Sequence, residues 1–184
     1  MSKTYYDTPL WDSSLSIEER LDYLLSEMTL EEKIQSMGTG NPEIERLGVP
    51  AFHVGGEAAH GAQARHDQGF NISEPDLTTI FPNPIGMSAS FDEELIRKVG
   101  KVVGTEVRGL YSREHKGSLS VWAPTIDMER DPRWGRNEEA YGEDPCLTGK
   151  MSAAYCRGLT GKDEKYLKTA PLLKHFYANN YENE

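Results

Sequence analysis

Three short stretches of the sequence concentrate side chains able to hold a small polar ligand. The first runs His53-Val54-Gly55-Gly56-Glu57-Ala58-Ala59-His60-Gly61, with Arg65, His66 and Asp67 close behind. Two glycines permit close backbone approach, and a carboxylate placed there accepts hydroxyl hydrogen bonds from a polyol more strongly than a neutral group does. His53, Glu57 and His60 also admit a metal reading. Their spacing is not H-E-x-x-H and no fourth ligand lies nearby, so sugar binding ranks above metal binding and no metal is expected. His60 has a plainer role available, fixing the loop through a backbone hydrogen bond.

The second stretch, from Asp127 to Pro145, packs opposite charges densely around Trp134 and Tyr141 and includes Pro132. A charge run is usually a solvated face. Aromatic side chains and stiffening prolines point instead to an ordered ion-pair network that aims one arginine of Arg130, Arg133 and Arg136 at a ligand, the other two being structural. A guanidinium can donate a forked pair of bonds to adjacent hydroxyls while a neighbouring carboxylate orients it. The third stretch is Lys174-His175-Phe176-Tyr177-Ala178-Asn179-Asn180. Neighbours on a strand point to opposite faces, so Lys174 and His175 reach one ligand only where a strand ends. Alone, the pair suits a salt-bridged lysine and a satisfied histidine equally well.

The elements that would position these stretches alternate. Ser16 with Glu19 and Thr29 with Glu32 form capping boxes ahead of two amphipathic helices, the second closing at Gly38-Thr39-Gly40. Residues 1–40 read as a helical preamble and 41–184 as βα units. Strands are expected over Val49–Val54, Ile80–Met87, Leu119–Ile126 and Leu172–Phe176. A long helix is expected from Ser90 and Glu93 through Leu110, and another from Asp144-Pro145 to Gly161. Such alternation implies an α/β architecture with parallel strands. There is no G-x-G-x-x-G or P-loop, and the unusual chemistry follows the strands, as in a (β/α)8 TIM-like barrel. Four units amount to about half of that barrel, the N-terminal portion. Its open edge is expected to need the missing C-terminal segment or a second copy of the chain as a homo-oligomer.

Composition narrows the partners. Across 184 residues, 30 acidic against 20 basic side chains give a formal net charge of −10, which argues against a nucleic-acid partner. Cys146 and Cys156 are the only cysteines, too few for a disulfide framework, and both are expected reduced. No apolar run approaches the ~20 residues that span a bilayer. With no membrane and no signal-peptide pattern, the reading is cytoplasmic.

Together the motifs resemble glycoside hydrolase family 3, over nearly the whole chain. They include Met28 to Ile34, Arg46-Leu47-Gly48-Val49-Pro50, Phe81-Pro82 with Ala89-Ser90-Phe91, and Trp122-Ala123-Pro124. Most specific is Arg133-Trp134-Gly135-Arg136 with Tyr141-Gly142-Glu143-Asp144-Pro145. The resemblance implies a retaining, exo-acting hydrolase of terminal β-linked sugars such as β-glucosides or β-xylosides, without a cofactor. It makes Arg136, Lys174 and His175 contacts of the terminal sugar. Glu57 joins them as the acid of Glu57-Ala58-Ala59-His60-Gly61, although Val54-Gly55-Gly56 stands where the family usually carries aromatic residues. Phe176 to Asn180 is similar to the glucosidase and xylosidase type, not the N-acetylglucosaminidase type. The family's nucleophile, in a Ser-Asp-Trp-like segment, and its acid/base lie beyond these 184 residues. No catalytic residue is therefore assigned, Glu138, Glu139 and Glu143 organise the loop, and the isolated chain is expected to be inactive. The alternative is a non-catalytic or partner-complemented sugar-binding fragment.

Overall fold

The computed structural model describes residues 5–38, 40–53, 55–63, 77–114 and 118–182; Arg65, His66, Asp67, Val54 and the side chain of His53 lie outside the described residues. The chain divides into two compact units, residues 1–54 and 55–184.

The first unit opens with 3-10 turns at Tyr5–Asp7 and Pro9–Trp11, followed by helices α1 (Ile17–Glu27) and α2 (Leu30–Gln35). Both capping boxes form. Ser16 accepts from the Glu19 N–H at 3.3 Å while Glu19 takes the Ser16 N–H at 2.9 Å. Thr29 and Glu32 repeat the exchange at 3.2 and 2.8 Å. Strands β1 (Gly40–Asn41) and β2 (Phe52–His53) pair antiparallel, so only the end of the expected Val49–Val54 strand forms. Trp11 donates Nε1 to the Leu47 carbonyl at 3.1 Å, and Arg20 donates Nε to the Leu10 carbonyl at 2.7 Å. These bonds seat buried Leu10 and Leu47. The helical stripe of Ile17, Leu21, Leu25, Leu30 and Ile34 stays exposed.

In the second unit, α3 (Pro84–Ser88) replaces the strand expected over Ile80–Met87. Pro82 and Pro84 cannot donate to a ladder, and Pro84 suits a first helical position, so a short apolar run that fits either period becomes helix. Helix α4 (Glu93–Glu114) follows. Its cap is Asp92, which accepts from the Leu95 N–H at 2.9 Å, and not Ser90, whose hydroxyl turns back to the Met87 carbonyl at 2.7 Å. Ser90 is too close to the end of the preceding helix to cap the next. Strand β3 (Ser120–Val121), helix α5 (Pro145–Thr160) and strand β4 (Ala170–Pro171) complete the unit. Asp144 caps α5 by accepting from the Leu147 N–H at 2.7 Å, and Gly161 ends it.

Strand β3 is shorter than the expected Leu119–Ile126, and β4 begins before the expected Leu172–Phe176. Pairing sets that register. Ala170 and Leu172 donate to the Leu119 and Val121 carbonyls at 2.7 and 2.8 Å. The missing N–H of Pro171 therefore falls on the side away from β3, where it costs no ladder bond. On the other side of β3, Gly56 donates to Ser120 at 3.1 Å and accepts from Trp122 at 2.7 Å, the spacing of a parallel ladder. Segments around 56, 121 and 171 thus lie side by side in chain order, all parallel, with α4 and α5 in the two connections between them.

Helices α4 and α5 bury the main core: Ile96, Val99, Val103 and Val107 against Met151, Ala154, Tyr155 and Leu159. Glycines let their backbones approach. A Cβ on Gly158 would stand 2.3 Å from the Arg97 carbonyl oxygen, and one on Gly100 would stand 2.4 Å from that of Tyr155. At Gly109, on the same helix, a Cβ would meet nothing within 4 Å. Gly158→Ala should therefore cost about 1–3 kcal/mol through overpacking, whereas Gly109→Ala should add about 0.5–1 kcal/mol through helix propensity. Urea unfolding midpoints of the two variants should move in opposite directions; equal shifts would refute the close-packed helix pair.

Candidate functional site

Core packing reaches the first ligand loop through one bond. The fully buried Tyr155 hydroxyl of α5 donates to the carbonyl of Ala58 at 2.5 Å. Burial holds that phenol above its ordinary pKa, so it remains a protonated donor. The loop closes with the Gln63 N–H on the Glu57 carbonyl at 2.9 Å. His60 and Phe81 tie it down: the Phe81 N–H donates to the His60 carbonyl at 2.8 Å, and His60 Nδ1 lies 3.0 Å from the Phe81 carbonyl. His60 thus fixes the loop, and it also lines the cavity that Glu57 faces. Among the described residues no group of three or more His, Cys, Asp or Glu is arranged to hold a metal.

The second loop places Arg136 just before a 3-10 turn, Asn137–Glu139. With three residues per turn, side chains at i and i+3 eclipse. Arg136 and Glu139 are such a pair. Arg136 donates Nε and Nη2 to the two carboxylate oxygens of Glu139, each at 2.7 Å. Arg133 instead forks onto neighbouring Asp131, at 3.0 and 2.6 Å, and Arg130 bonds Asn180. Of the three arginines, Arg136 lines the cavity described below.

At the end of β4, Lys174 bridges to Thr125 in parallel register. Its Nζ stands 3.2 Å from Glu57 and 3.8 Å from Glu139. The following peptide bond, Lys174–His175, is cis. The buried carboxylate of Asp127 receives three donors: the His175 N–H at 3.0 Å, His175 Nδ1 at 2.8 Å and the Asn179 N–H at 3.2 Å. Ala178 takes a positive φ of 39° to turn that last N–H inward. A carboxylate on Nδ1 fixes the proton there, leaving Nε2 as an acceptor. Arg136 Nη1 meets Nε2 at 3.2 Å and also reaches Glu182 at 3.3 Å.

The result is an alternating chain, His175 to Arg136 to Glu139 to Lys174 to Glu57. Glu57, Arg136, Glu139 and Lys174 line a cavity of about 480 Å³, with Gln63, Thr78, Asn83 and Glu138 also on its wall. That volume suits a small ligand. Three of the four expected site residues meet there. His175 is not among the wall residues and contacts Arg136 from behind it. Burial alone would raise the Glu139 carboxyl, but the hydrogen bonds and charge of Arg136, then the charge of Lys174, hold it below its ordinary value. Arg136 is raised, chiefly by its bonds to Glu139. The wall offers fixed carboxylate acceptors beside fixed cationic donors, which matches a ligand carrying adjacent hydroxyls. Sequence reasoning did not single out Asp127 or Asn83. Asp127 had one signal, a polar residue ending an apolar run.

Residues 30–183 match the family model described as the glycosyl hydrolase family 3 N terminal domain. A beta-xylosidase/alpha-L-arabinofuranosidase of Medicago sativa subsp. varia is 40% identical over 176 residues, 94% of this chain and 22% of its own length. A xylan 1,4-beta-xylosidase of Xylanibacter ruminicola is 40% identical, with 91% and 20% covered. Among solved structures, an exo-beta-xylosidase in complex with a xylobiose aziridine probe superposes with a TM-score of 0.82 at 34% identity, covering 98% of this chain and 23% of that one. Beta-glucosidase 3B from Thermotoga neapolitana, in complex with glucose, gives 0.70 at 29% identity, covering 88% and 23%. The chain thus spans about a fifth to a quarter of the length of these proteins.

Two outcomes follow from the geometry. Asp127→Asn should remove the fixed Nδ1 proton: nitrogen NMR of His175 should show the Nδ1–H form in the parent and a mixture in the variant, and an Nε2–H parent would refute the assignment. Because the Glu139 carboxyl sits below its ordinary value of 4.5, its contribution to stability is complete above that pH and is lost as pH falls through the lower folded value. Glu139→Gln should flatten this acid limb in urea unfolding followed from about pH 6 to 3; an unchanged limb would contradict the pairing.

Proposed function

The chain belongs to glycosyl hydrolase family 3, and on that premise we propose that it supplies the terminal-sugar subsite of a retaining, exo-acting β-glycosidase, with β-xylosides favoured and β-glucosides as the related class. The observation that carries this reading is the cavity in which Glu57, Glu139, Arg136 and Lys174 converge. Glu57 accepts a hydrogen bond from one hydroxyl, and Lys174 and the one remaining N–H of Arg136, on Nη2, donate to neighbouring sugar oxygens. His175 keeps the guanidinium in plane. Xylosidases among the relatives favour the pentose.

The fold we propose is about half of a (β/α)8 barrel. Its support is the parallel neighbourhood of segments 56, 121 and 171 in chain order, with the cavity residues at or beyond their C-terminal ends, where such barrels collect their chemistry. Retaining cleavage needs two carboxyl groups about 5 Å apart on either side of the scissile bond. In this proposal Glu139 is not one of them, because its oxygens are committed to Arg136. The nucleophile and acid/base then come from outside these residues. A second reading, a partner-complemented sugar-binding segment, draws on the exposed Leu173, Phe176, Tyr177 and Tyr181 beside β4.

The pure 184-residue chain should not hydrolyse aryl β-xylosides or β-glucosides, and measurable turnover would contradict the proposal. Joined to the downstream portion of the Xylanibacter ruminicola relative, it should be active. There Arg136→Ala should lower kcat/KM by about 100-fold or more, through loss of its bond to the sugar and of the fork that holds Glu139 in place. A variant within a few-fold of the parent would remove Arg136 from the subsite.

A further inference from the structure

Although the chain is strongly acidic overall, one cavity away from the sugar wall gathers cations. It has a volume of about 560 Å³, and its wall includes Arg108 of α4 with Lys162, Lys165 and Lys168 of the loop after α5. Lys101 adds a fifth charge close enough to act on Lys168. Among the described residues none of these five cations forms an ion pair with a carboxylate, whereas Arg46, Arg97, Arg133, Arg136 and Lys174 elsewhere all do. The one carboxylate on the wall, Asp163, is turned to its own loop and accepts the Lys165 and Tyr166 N–H groups at 2.9 and 2.8 Å.

The basin is held by its own bonds. Lys168 N–H closes the loop onto the Thr160 carbonyl at 2.8 Å. Arg108 donates Nε to the Lys168 carbonyl at 2.9 Å and Nη2 to that of Leu167 at 2.6 Å, which leaves Nη1 unspent. Lys168 Nζ donates to Thr105 Oγ1 at 3.0 Å and keeps two further protons. The loop lies just before β4, whereas Lys174 lies just after it, so this site and the sugar wall occupy opposite ends of one strand. We propose that the basin is a second binding site, taking a compact oxyanion: a phosphate group or the carboxylate of an acidic sugar.

Two observations favour an anion there. Arg108 and Lys168 are held in place by their own bonds and the clustered positive charge exceeds that of Asp163, so an oxyanion gains charge-assisted bonds at reduced ordering cost. Burial, and then the Lys101 charge, hold the Lys168 ammonium below its ordinary pKa, and a bound anion beside Nζ offsets both. The overall negative charge does not prevent this, because at physiological salt it is screened beyond about 8 Å while the five cations are local.

Calorimetric titration of the 184-residue chain with sodium phosphate, and separately with sodium glucuronate, at ionic strength matched with sodium chloride, tests the proposal. At least one should bind saturably, with amide NMR shifts centred on residues 160–168 and Thr105–Arg108, and D-xylose should not compete. Phosphate alone identifies a phosphate ligand; glucuronate, with or without phosphate, identifies an acidic sugar. Lys165→Met, at an exposed position, should weaken binding about tenfold, and Lys168→Met by at least as much. Lys150→Met, which removes an exposed lysine of α5 outside the basin, should leave it unchanged. No saturation by either anion, or equal weakening by Lys150→Met and Lys165→Met, would overturn the site.

Discussion

The fork between Arg136 and Glu139 is the interaction on which the site depends. A half-buried carboxylate is costly unless its charge is answered, and here it stands between a guanidinium and an ammonium. Each member of the chain from His175 to Glu57 is oriented by the next, so these five side chains hold their positions before a ligand arrives. Such an arrangement favours binding by reducing what must be ordered. It also commits both carboxylate oxygens of Glu139 to Arg136.

Three distant parts of the sequence have to meet for that chain to close. The packing of α4 against α5 brings them together, and close backbone contact at Gly100 and Gly158 sets how near the two helices lie. From α5, the Tyr155 hydroxyl fixes Ala58, one residue from Glu57. The parallel pairing of β3 and β4 sets Lys174 opposite Thr125, two residues before Asp127. Packing, ladder register and site electrostatics are therefore one continuous structure, and a fault in the helix pair would be felt at Glu57.

Local signals were the most legible in the sequence. Capping at Ser16, Thr29 and Asp144, the apolar stripe of α4 and the glycine stop at Gly161 read directly, because each involves residues within a turn of one another. The Ile80–Met87 run did not, since a short apolar stretch fits either period and its prolines decided for helix. The α4 cap moved from Ser90 to Asp92 because Ser90 belongs to the preceding turn. That the loops of Glu57, Arg136 and Lys174 would converge could be read from motif and chemistry, and the three do line one cavity. The place of His175 and the part played by Asp127 could not, because both depend on contacts across about 50 residues. No sequence pattern announces that one carboxylate will collect three donors.

The proposal that this wall holds a terminal sugar through Glu57, Arg136 and Lys174 is open to direct test. A crystal structure of the chain grown with D-xylose tests that most directly. The account predicts the pentose in the 480 Å³ cavity, with hydroxyl oxygens within hydrogen-bond distance of Glu57, Arg136 and Lys174 and the Arg136–Glu139 fork intact. Xylose bound elsewhere, or in the cavity with the fork broken and Glu139 turned to the sugar's anomeric carbon, would contradict it.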